Sequence, residues 1–577
     1  MFSFPNILYL AKQHAFIQKR LKSKTAVFLV GGCVRNLLLT IEQRPNDIDV
    51  TLGGDPIHIY NHSNKIGLSH FMTEKFGTIT FIKKGKTNIQ YEITPLRTEG
   101  GYEDFRHPEE IHRSNDILLD AKRRDFTINS LYFFADSTHK KSEDKNSGAI
   151  EEKELLKGLK NNGIIGISSH NLLIIQDTNI ITTLFEDGIY HKEKLASVIE
   201  KYKLGNESEF MYFIIDPNKG IQDLFEKKLR AVGDPDHRFQ EDALRLLRGL
   251  RFVNVLNHQL KQKKSDTTLF DFDKATRNAL KTNHHLLEHV AKERIKDEII
   301  KIFSKGDPFG FVALLDESHL LQIIFPAVYA TKYIHQPVRF HPFDVYTHTL
   351  LTLYELQKIN NNYLVRLAML YHDVGKVAQF SAYKDNLSKE EIRGILSGPL
   401  NHRKGGPELV KKDFISLGFS SKEIDQIARY VANHHKPEEI LDGESDDQCK
   451  KKLRKFLSEA GYHQVENILD ITIADRRGQY NPLQNNNDLQ EVNVLRKLLK
   501  QINDEEGQFT IKELAVDGDM LMKQFHIQPS KLIGILLKQA FDWVLNDIKT
   551  RNTKREIMIY LTGYLKNRKD EEKQNED

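Results

Sequence analysis

The stretch Val27–Gly54, VFLVGGCVRNLLLTIEQRPNDIDVTLGG, organises the first part of the chain. It opens as a continuous apolar strand, turns at Gly31 and Gly32, enters a helix from Cys33, and returns through a polar loop to a strand carrying Asp47 and Asp49. Side chains alternate along a strand, so these two carboxylates share a face, about 6.5 to 7 Å apart at the backbone. Carboxylates so placed can share divalent cations. Two Mg²⁺ ions roughly 4 Å apart can activate an attacking oxygen and stabilise a leaving pyrophosphate, which is the logic of nucleotide transfer. The glycine pair lets the backbone approach a triphosphate, the helix that follows offers amide groups, and Arg35 adds a fixed cation. In NIQYEITPL (88–96), Ile89, Tyr91 and Ile93 alternate with Gln90, Glu92 and Thr94, so Glu92 is a candidate third carboxylate. An isolated Asp-x-Asp is more often a solvated strand face, and an isolated Gly-Gly a tight turn. Their combination carries the argument.

At 577 residues the chain is too long for one hydrophobic core and implies several domains of roughly 100 to 200 residues. With 39% hydrophobic and 28% charged residues it suits a soluble globular chain, and no apolar run reaches the roughly 20 residues that span a bilayer. No membrane partner is expected. Cys33 and Cys449 are too few for a disulfide framework or a thiolate zinc cluster, so a reducing compartment is expected and any metal is held by oxygen or histidine. A net charge of +4 does not by itself mark a nucleic-acid binder, although 84 Lys and Arg can gather on one surface. The first 41 residues hold no acid and carry Lys12, Lys19, Arg20, Lys22 and Lys24, as a transit peptide would. However, Ile7, Leu8, Ala11, Ala15 and Ile17 fall at near-helical spacing, and an amphipathic helix leading into the first strand explains them. A cytoplasmic location is expected.

Residues 25–135 alternate strand and helix signals: TAVFLV, DIDVTL, GTITFIKKG, TNIQYEITPL, then a helix through LLDAKRRDFTINSLYFF. ADSTHKKSEDKNSG (135–148) begins a segment without an assignable motif that reads as an insertion. DPDHRFQEDALRLLRGLRF (234–252) reads as a helix with acids at its start and Arg245, Arg248 and Arg251 on one broad face. From about Phe239 onward helical periodicity dominates, and the charged end NRKDEEKQNED (567–577) has the composition of a disordered tail.

Taken together, the chain resembles the class II nucleotidyltransferases, the family of bacterial tRNA CCA-adding enzymes and poly(A) polymerases. The family's Gly-Gly-x-Val-Arg-Asp and Asp-x-Asp patterns are matched by Gly31, Gly32, Val34, Arg35, Asn36, Asp47 and Asp49, with Asn36 a departure outside the metal pair. EITPLRTEGGYEDFRHPEEI (92–111) is similar to the family's strand and flexible loop, and RRDFTINSL (123–131) to its second signature. The resemblance implies Arg124, Asp125 and Asn129 at the nucleotide ribose and triphosphate, with Arg248 in the same nucleotide-binding set. EDALR (241–245) matches the element in which Asp242 and Arg245 would act as a protein template for the edges of cytosine and adenine. A carboxylate accepts from an exocyclic amino group while a guanidinium donates to ring nitrogen or carbonyl positions. IIDPNKGIQDLFEKKLRAVG (214–233) follows NSLYFF directly in the family, so the segment from about Ala135 to Met211 interrupts a pair of strands.

Downstream, His348 of HTLLTLYEL, His372 and Asp373 of AMLYHDVGK and Asp475 of ITIADRRGQY supply imidazole and carboxylate groups from separate helices, a common way to hold a divalent metal. This set resembles the HD phosphohydrolase domain. The same resemblance makes His402, His434 and His435 candidates for a second metal. VDGDMLMKQFHIQPSKLIGILL (516–537) is similar to the family's C-terminal element near the tRNA-holding tail; Pro529 and Gly534 fit, and Ser530 replaces the usual glycine.

The expected fold class is an α/β (α+β) nucleotidyltransferase head followed by a largely α-helical neck, body, HD domain and tail. The expected boundaries are 1–135 with 212–235 for the head, 136–211 for the insertion, 236–330 for neck and body, 331–485 for the HD domain, and 486–577 for a helical tail with a disordered end. The implied activity is addition of CCA to tRNA 3′ ends from CTP and ATP, with Mg²⁺ in the head and no nucleic-acid template. The HD domain would add a phosphatase or 2′,3′-cyclic phosphodiesterase activity with Ni²⁺, Co²⁺ or Mn²⁺. Rival expectations are a poly(A) polymerase of the same family and a CC- or A-adding enzyme.

Overall fold

β1 (Val27–Val30) is apolar and buried at every position, as a strand in the middle of a covered sheet must be. In the computed structural model it pairs antiparallel with β2 (Asp47–Leu52) on one side and with Tyr132–Ala135 on the other. The residues described are 4–21, 23–40, 45–54, 60–61, 69–73, 77–85, 88–102, 108–136, 152–263, 268–334, 342–377, 402–441, 446–480 and 487–574. Next along the chain come β3 (Ser69–Thr73), β4 (Thr78–Lys83), β5 (Ile89–Pro95), the hairpin β6 (Arg97–Tyr102) and β7 (Pro108–Arg113), and β8 (Tyr132–Ala135). They are followed by β9 (Ile164–Ile167), β10 (Leu172–Ile175) and β11 (Tyr212–Ile215). Among the described residues these form a nine-stranded mixed sheet in the order β3-β4-β5-β2-β1-β8-β11-β10-β9, with β6 and β7 paired apart from it. The expected amphipathic helix is present as Phe4–Leu21, anchored by Asn6 Nδ2 on Leu37 O (2.9 Å) and His14 Nε2 on Val27 O (2.6 Å).

Three expectations need correction. The helix expected through LLDAKRRDFTINSLYFF covers only Ile117–Lys122; Thr127–Asn129 is a 3₁₀ turn and Tyr132–Ala135 is β8. The aromatic run YFFA suits a pleated, covered strand, and pairing with both β1 and β11 overrides the helical spacing. The helix expected across 234–252 breaks at Asp242, whose backbone is extended and whose Oδ1 accepts Leu244 N (3.2 Å), so Pro235–Glu241 and Leu244–Lys263 are separate helices. At the other end of the chain, the last helix runs from Lys554 to Gln574, because Lys, Glu, Asp and Gln without Gly or Pro can continue a helix already anchored by its first turns.

The segment between β8 and β11 does interrupt a strand pair, since those two are antiparallel neighbours. It also extends the sheet, β10 lying parallel to β11 and β9 antiparallel to β10. Its Ile180, Ile181, Leu184, Phe185, Leu195, Val198 and Ile199 share one buried core with Phe28, Val30, Tyr132, Phe134, Phe213 and Ile215. Cross-strand partners lie on one face, so the registers Phe28 with Thr51 and Asp49 with Glu92 put this core and the three carboxylates on the same side of the sheet.

The chain forms two compact units, one of residues 1–302 and 313–323, the other of 303–312 and 324–577. The second is helical throughout its described elements. Within it, Phe509, Leu514, Leu521, Leu536, Phe541, Val544, Ile557 and Leu561 make a separate small core at the C-terminal end. Among the described residues no helix is long and apolar enough to cross a membrane.

Candidate active site and metal centre

Asp47 and Asp49 stand two residues apart on β2, and parallel pairing with β5 puts Gln90 beside Asp47 and Glu92 beside Asp49. Glu92 Oε1 accepts from Gln90 Nε2 at 2.8 Å. Burial, with Glu92 and Asp47 alongside, pushes the Asp49 carboxyl up to about 6, against the pull of Arg124 and Arg248. Gly31 ends β1 with φ +74° and ψ −133°, a conformation that a side chain would strain. A Cβ there would lie 3.3 Å from Asp49 Oδ2, 3.8 Å from Asn129 O and 3.9 Å from Arg124 Nη1. The glycine corner, the carboxylates and the second signature therefore meet at one point. Gly32 opens a seven-residue helix, Gly32–Leu38, one residue earlier than expected.

Of the nucleotide-binding candidates, Arg35, Asn129, Asp125 and Arg248 form one connected set. Arg35 is buried; its Nε and Nη2 donate to Asn36 Oδ1 at 3.0 and 2.8 Å, and its Nη1 donates to Asn129 Oδ1. Asn36, the departure from the family pattern, is thus the acceptor that orients Arg35. Asn129 Nδ2 donates to Asp125 Oδ1 (3.1 Å), and Arg248 donates to Asp125 Oδ2 through Nε (3.0 Å) and Nη2 (2.6 Å). Burial works against ionisation of Asp125, but the Arg248 guanidinium outweighs it and holds the carboxyl well below the usual range. Arg124 is held by Asp120 Oδ2, which lies 2.9 Å from Nη2 and 3.0 Å from Nε.

Several supporting residues were not singled out from sequence. Asp120 is fully buried and gathers Arg123, Arg124 and the Tyr132 hydroxyl (2.7 Å). Phe252 has Arg35, Arg248 and Arg251 guanidinium carbons 5.1, 5.3 and 4.2 Å from its ring centroid, and Arg251 is paired with buried Glu298. Only the run RGLRF hinted at the Phe252 cluster, since Glu298 lies 47 residues from Arg251, whereas Asp120 stands at helical spacing before Arg123 and Arg124 and could have been found from it. Asp223 of the IQDLF stretch accepts from Thr127 Oγ1 (2.6 Å) and Arg230 Nε (3.1 Å), bracing the second signature from behind.

Asp242 and Arg245 are close in sequence but engaged with different partners. Arg245 donates to Arg238 O (2.9 Å), Glu241 Oε2 (2.6 Å) and Arg123 O (3.0 Å). Asp242 pairs with Arg294.

In the second unit, His348, His372, Asp373 and Asp475 do come together. His348 Nε2 lies 3.3 Å from His372 Nε2, 3.0 Å from Asp475 Oδ1 and 3.6 Å from Asp373 Oδ2; His372 Nε2 lies 3.4 Å from Asp373 Oδ2. His372 Nδ1–H donates to Met369 O (2.8 Å) and His434 Nδ1–H to Val431 O (2.6 Å), which leaves each Nε2 as the ligating nitrogen. Donor atoms of His348, His372 and Asp373 lie within 4.8 Å of one another, and so do those of Asp373, His434 and His435. This is a nitrogen and oxygen set that fits one or two divalent cations sharing Asp373. Burial disfavours the charged form of Asp373, yet Lys376 (2.6 Å) and His372 hold it well below the usual carboxylate range. Burial, with His435 and His372 beside it, keeps His434 well below the usual imidazole value. His402 begins the helix His402–Ser416, and its side chain lies outside the described residues, as do residues 103–107 of the expected flexible loop.

The family described as "Poly A polymerase head domain" matches residues 27–153. Over those residues the chain is similar to a poly A polymerase head. Behind that head, "Probable RNA and SrmB- binding site of polymerase A" matches 269–331 and "HD domain" matches 345–477. A CCA-adding enzyme of Lactobacillus helveticus is 28% identical over 278 residues, 48% of this chain and 45% of that one. One from Anoxybacillus flavithermus is 28% identical over 297 residues, 51% of this chain and 50% of the other. The chain thus spans about half the length of the curated relatives it matches. In fold, the chain is similar to the Bacillus stearothermophilus CCA-adding enzyme solved with CTP, at a TM-score of 0.58 and 18% identity over 98% of this chain and 99% of that one. A CCA-adding enzyme in an apo form gives a TM-score of 0.52 at 17% identity, over 97% and 96%.

Proposed function

We propose that the protein is a tRNA nucleotidyltransferase that adds C, C and A to tRNA 3′ ends from CTP and ATP without a nucleic-acid template. The observation that carries this reading is the convergence of Asp47, Asp49 and Glu92 with Gly31, Arg124 and the Asn36–Arg35–Asn129–Asp125–Arg248 network. Asp49, whose carboxyl is pushed up by burial with Glu92 and Asp47 alongside, calls for a cation, and hard oxygen donors suit Mg²⁺. Mg²⁺ bound by Asp47 and Asp49, with Glu92 beside them, would activate the 3′-hydroxyl and stabilise the pyrophosphate that leaves. Arg35, which burial and nearby Arg251 bring down to about 10, belongs to a cationic cluster that a triphosphate would relieve. In the reaction the terminal ribose oxygen of the tRNA bonds to the α-phosphorus, the bond to the β-phosphate oxygen breaks, and the hydroxyl proton is released. Asp242 and Arg245 would read the base edge, Asp242 accepting an amino hydrogen and Arg245 donating.

The matched RNA-binding region at 269–331 supports tRNA as the partner, and the CCA-adding enzymes of similar fold solved with CTP and with ATP support those two substrates. Cys33 and Cys449, which form no disulfide with each other, support a reducing, cytoplasmic setting. For the HD domain we propose metal-dependent hydrolysis of phosphomonoesters or 2′,3′-cyclic phosphates. His348, His372, Asp373 and Asp475 would hold the first cation, and His434 and His435, with His402 as a candidate, a second. Imidazole ligands favour Ni²⁺, Co²⁺ or Mn²⁺ over Mg²⁺ there. Incubation with labelled CTP or ATP and tRNA ending before C, CC or CCA, followed by sequencing of the 3′ ends, separates CCA addition from poly(A), CC-only and A-only products.

A further inference from the structure

Asp242 sits at the break between the helices Pro235–Glu241 and Leu244–Lys263, with an extended backbone (φ −144°, ψ 99°). Arg245 turns its donors toward Glu241 and two backbone carbonyls. Arg294, 52 residues further along in the helix Lys292–Lys305, instead takes both oxygens of Asp242: Nη1 to Oδ1 at 3.1 Å and Nη2 to Oδ2 at 2.8 Å. Leu244 N donates to Oδ1 as well, at 3.2 Å. A carboxylate accepts in about four directions, so these three bonds leave roughly one. The planar fork also fixes the carboxylate's orientation, which a lysine at the same place could not do. Side-chain exposures of 18% for Asp242 and 29% for Arg294 keep the pair within reach of a nucleotide.

We propose that Arg294 is a positioning residue for base selection: it holds Asp242 so that a single acceptor direction faces the incoming base. One direction suffices for one exocyclic amino hydrogen, which cytosine and adenine present, and it repels the carbonyl that uracil or guanine presents at the corresponding edge. This rests on Asp242 reading the base as proposed above. Arg294 itself need not touch the nucleotide.

The test uses the full-length protein with Arg294→Lys, Arg294→Ala, Asp242→Asn and the Arg294→Lys/Asp242→Asn double variant, each checked for a wild-type melting transition. It measures kcat/KM for CTP and UTP on tRNA ending before C, and inhibition by inorganic tripolyphosphate. Arg294→Lys should lower the CTP:UTP ratio roughly tenfold or more, the loss of one bidentate contact, with tripolyphosphate inhibition within about twofold of wild type. In the Asp242→Asn background the same change should have no further effect. A ratio within about twofold of wild type in folded Arg294→Lys and Arg294→Ala, an equal loss for CTP and UTP, or additive effects in the double variant would each overturn the proposal. If the wild type adds no nucleotide to any tRNA, the proposed reaction is what fails. Calorimetric binding of CTP and UTP to the same proteins then decides the role of Arg294, an unchanged ratio overturning it.

Discussion

Gly31→Ala perturbs the place where the strand, the glycine corner and the carboxylates meet. The backbone there (φ +74°, ψ −133°) is close to a region occupied almost only by glycine, and forcing a side chain into it costs about 1–3 kcal/mol. The new Cβ would also stand 3.3 Å from Asp49 Oδ2, so the carboxylate must give by a few tenths of an ångström. For a unit of about 300 residues, an unfolding entropy of about 2.1 cal/mol/K per residue makes each kcal/mol lower the melting temperature by about 1.5 °C, giving a fall of roughly 1.5–5 °C. Displacing a reacting group by about 1 Å can cost about 100-fold in rate, so a fraction of that shift should lower kcat by on the order of tenfold. Gly32→Ala is the internal control: its Cβ would meet only Arg35 Nη2, at an ordinary 3.7 Å, inside a helix where alanine is preferred. Its melting temperature should match or exceed that of wild type. The assay is differential scanning calorimetry beside steady-state CTP addition on both variants. A Gly31→Ala protein with wild-type melting temperature and kcat would refute the reasoning.

His14 is fully buried, and burial lowers its pKa from 6.5 to about 4 against a hydrogen bond to Val27 O. The unfolded chain takes up this proton below about 6.5 and the folded chain only below about 4, so its contribution to stability is intact above the first value and lost as pH falls toward the second. Urea titrations of wild type and His14→Gln should therefore converge by about 3 kcal/mol between pH 7 and pH 4, and a pH-independent difference would contradict this. Asp120→Asn removes a buried charge that faces two arginines and should destabilise the protein by about 3–5 kcal/mol in the same titrations; a loss under about 1 kcal/mol would mean that the cluster is not what holds Arg124. His372→Ala should abolish hydrolysis of 2′,3′-cyclic AMP and p-nitrophenyl phosphate with Ni²⁺, Co²⁺ or Mn²⁺ while nucleotide addition continues, and loss of both in a folded protein would mean that the two centres are not separable.

How far the sequence was legible followed the range of the interactions. The strand alternation that places Asp47 and Asp49 on one face, and Glu92 on the polar face of its own strand, is local; the register that sets Glu92 beside Asp49 is what brings the three together. The run YFFA was misread as helix because its strand character comes from pairing with β1 and with β11, about 80 residues later. Asp242 was misplaced inside a helix because an aspartate that accepts a backbone amide two residues on ends one helix and begins the next, a choice that its side chain makes only in three dimensions. The segment after Ala135 carried no motif, yet Phe185, Leu195 and Ile199 close the head's core, a role set by nonpolar burial that any apolar pattern could fill. Its removal would expose Phe28, Phe134 and Phe213. Glu298 and Arg294, the partners of Arg251 and Asp242, were invisible for the same reason: paired charges from distant segments leave no spacing to read, whereas Asp120 stands four residues before Arg124, a helical spacing that was open to reading.

The most direct test of the account is nucleotide addition by wild type, Asp47→Ala and Asp49→Ala on tRNA transcripts ending before CCA, with CTP, ATP and Mg²⁺, read by sequencing the 3′ ends beside a tRNA-binding measurement on the same proteins. The account predicts that wild type adds C, C and A and then stops, while both variants bind tRNA and add nothing. Addition at near wild-type rate by either variant, or no addition by the wild type, would contradict it.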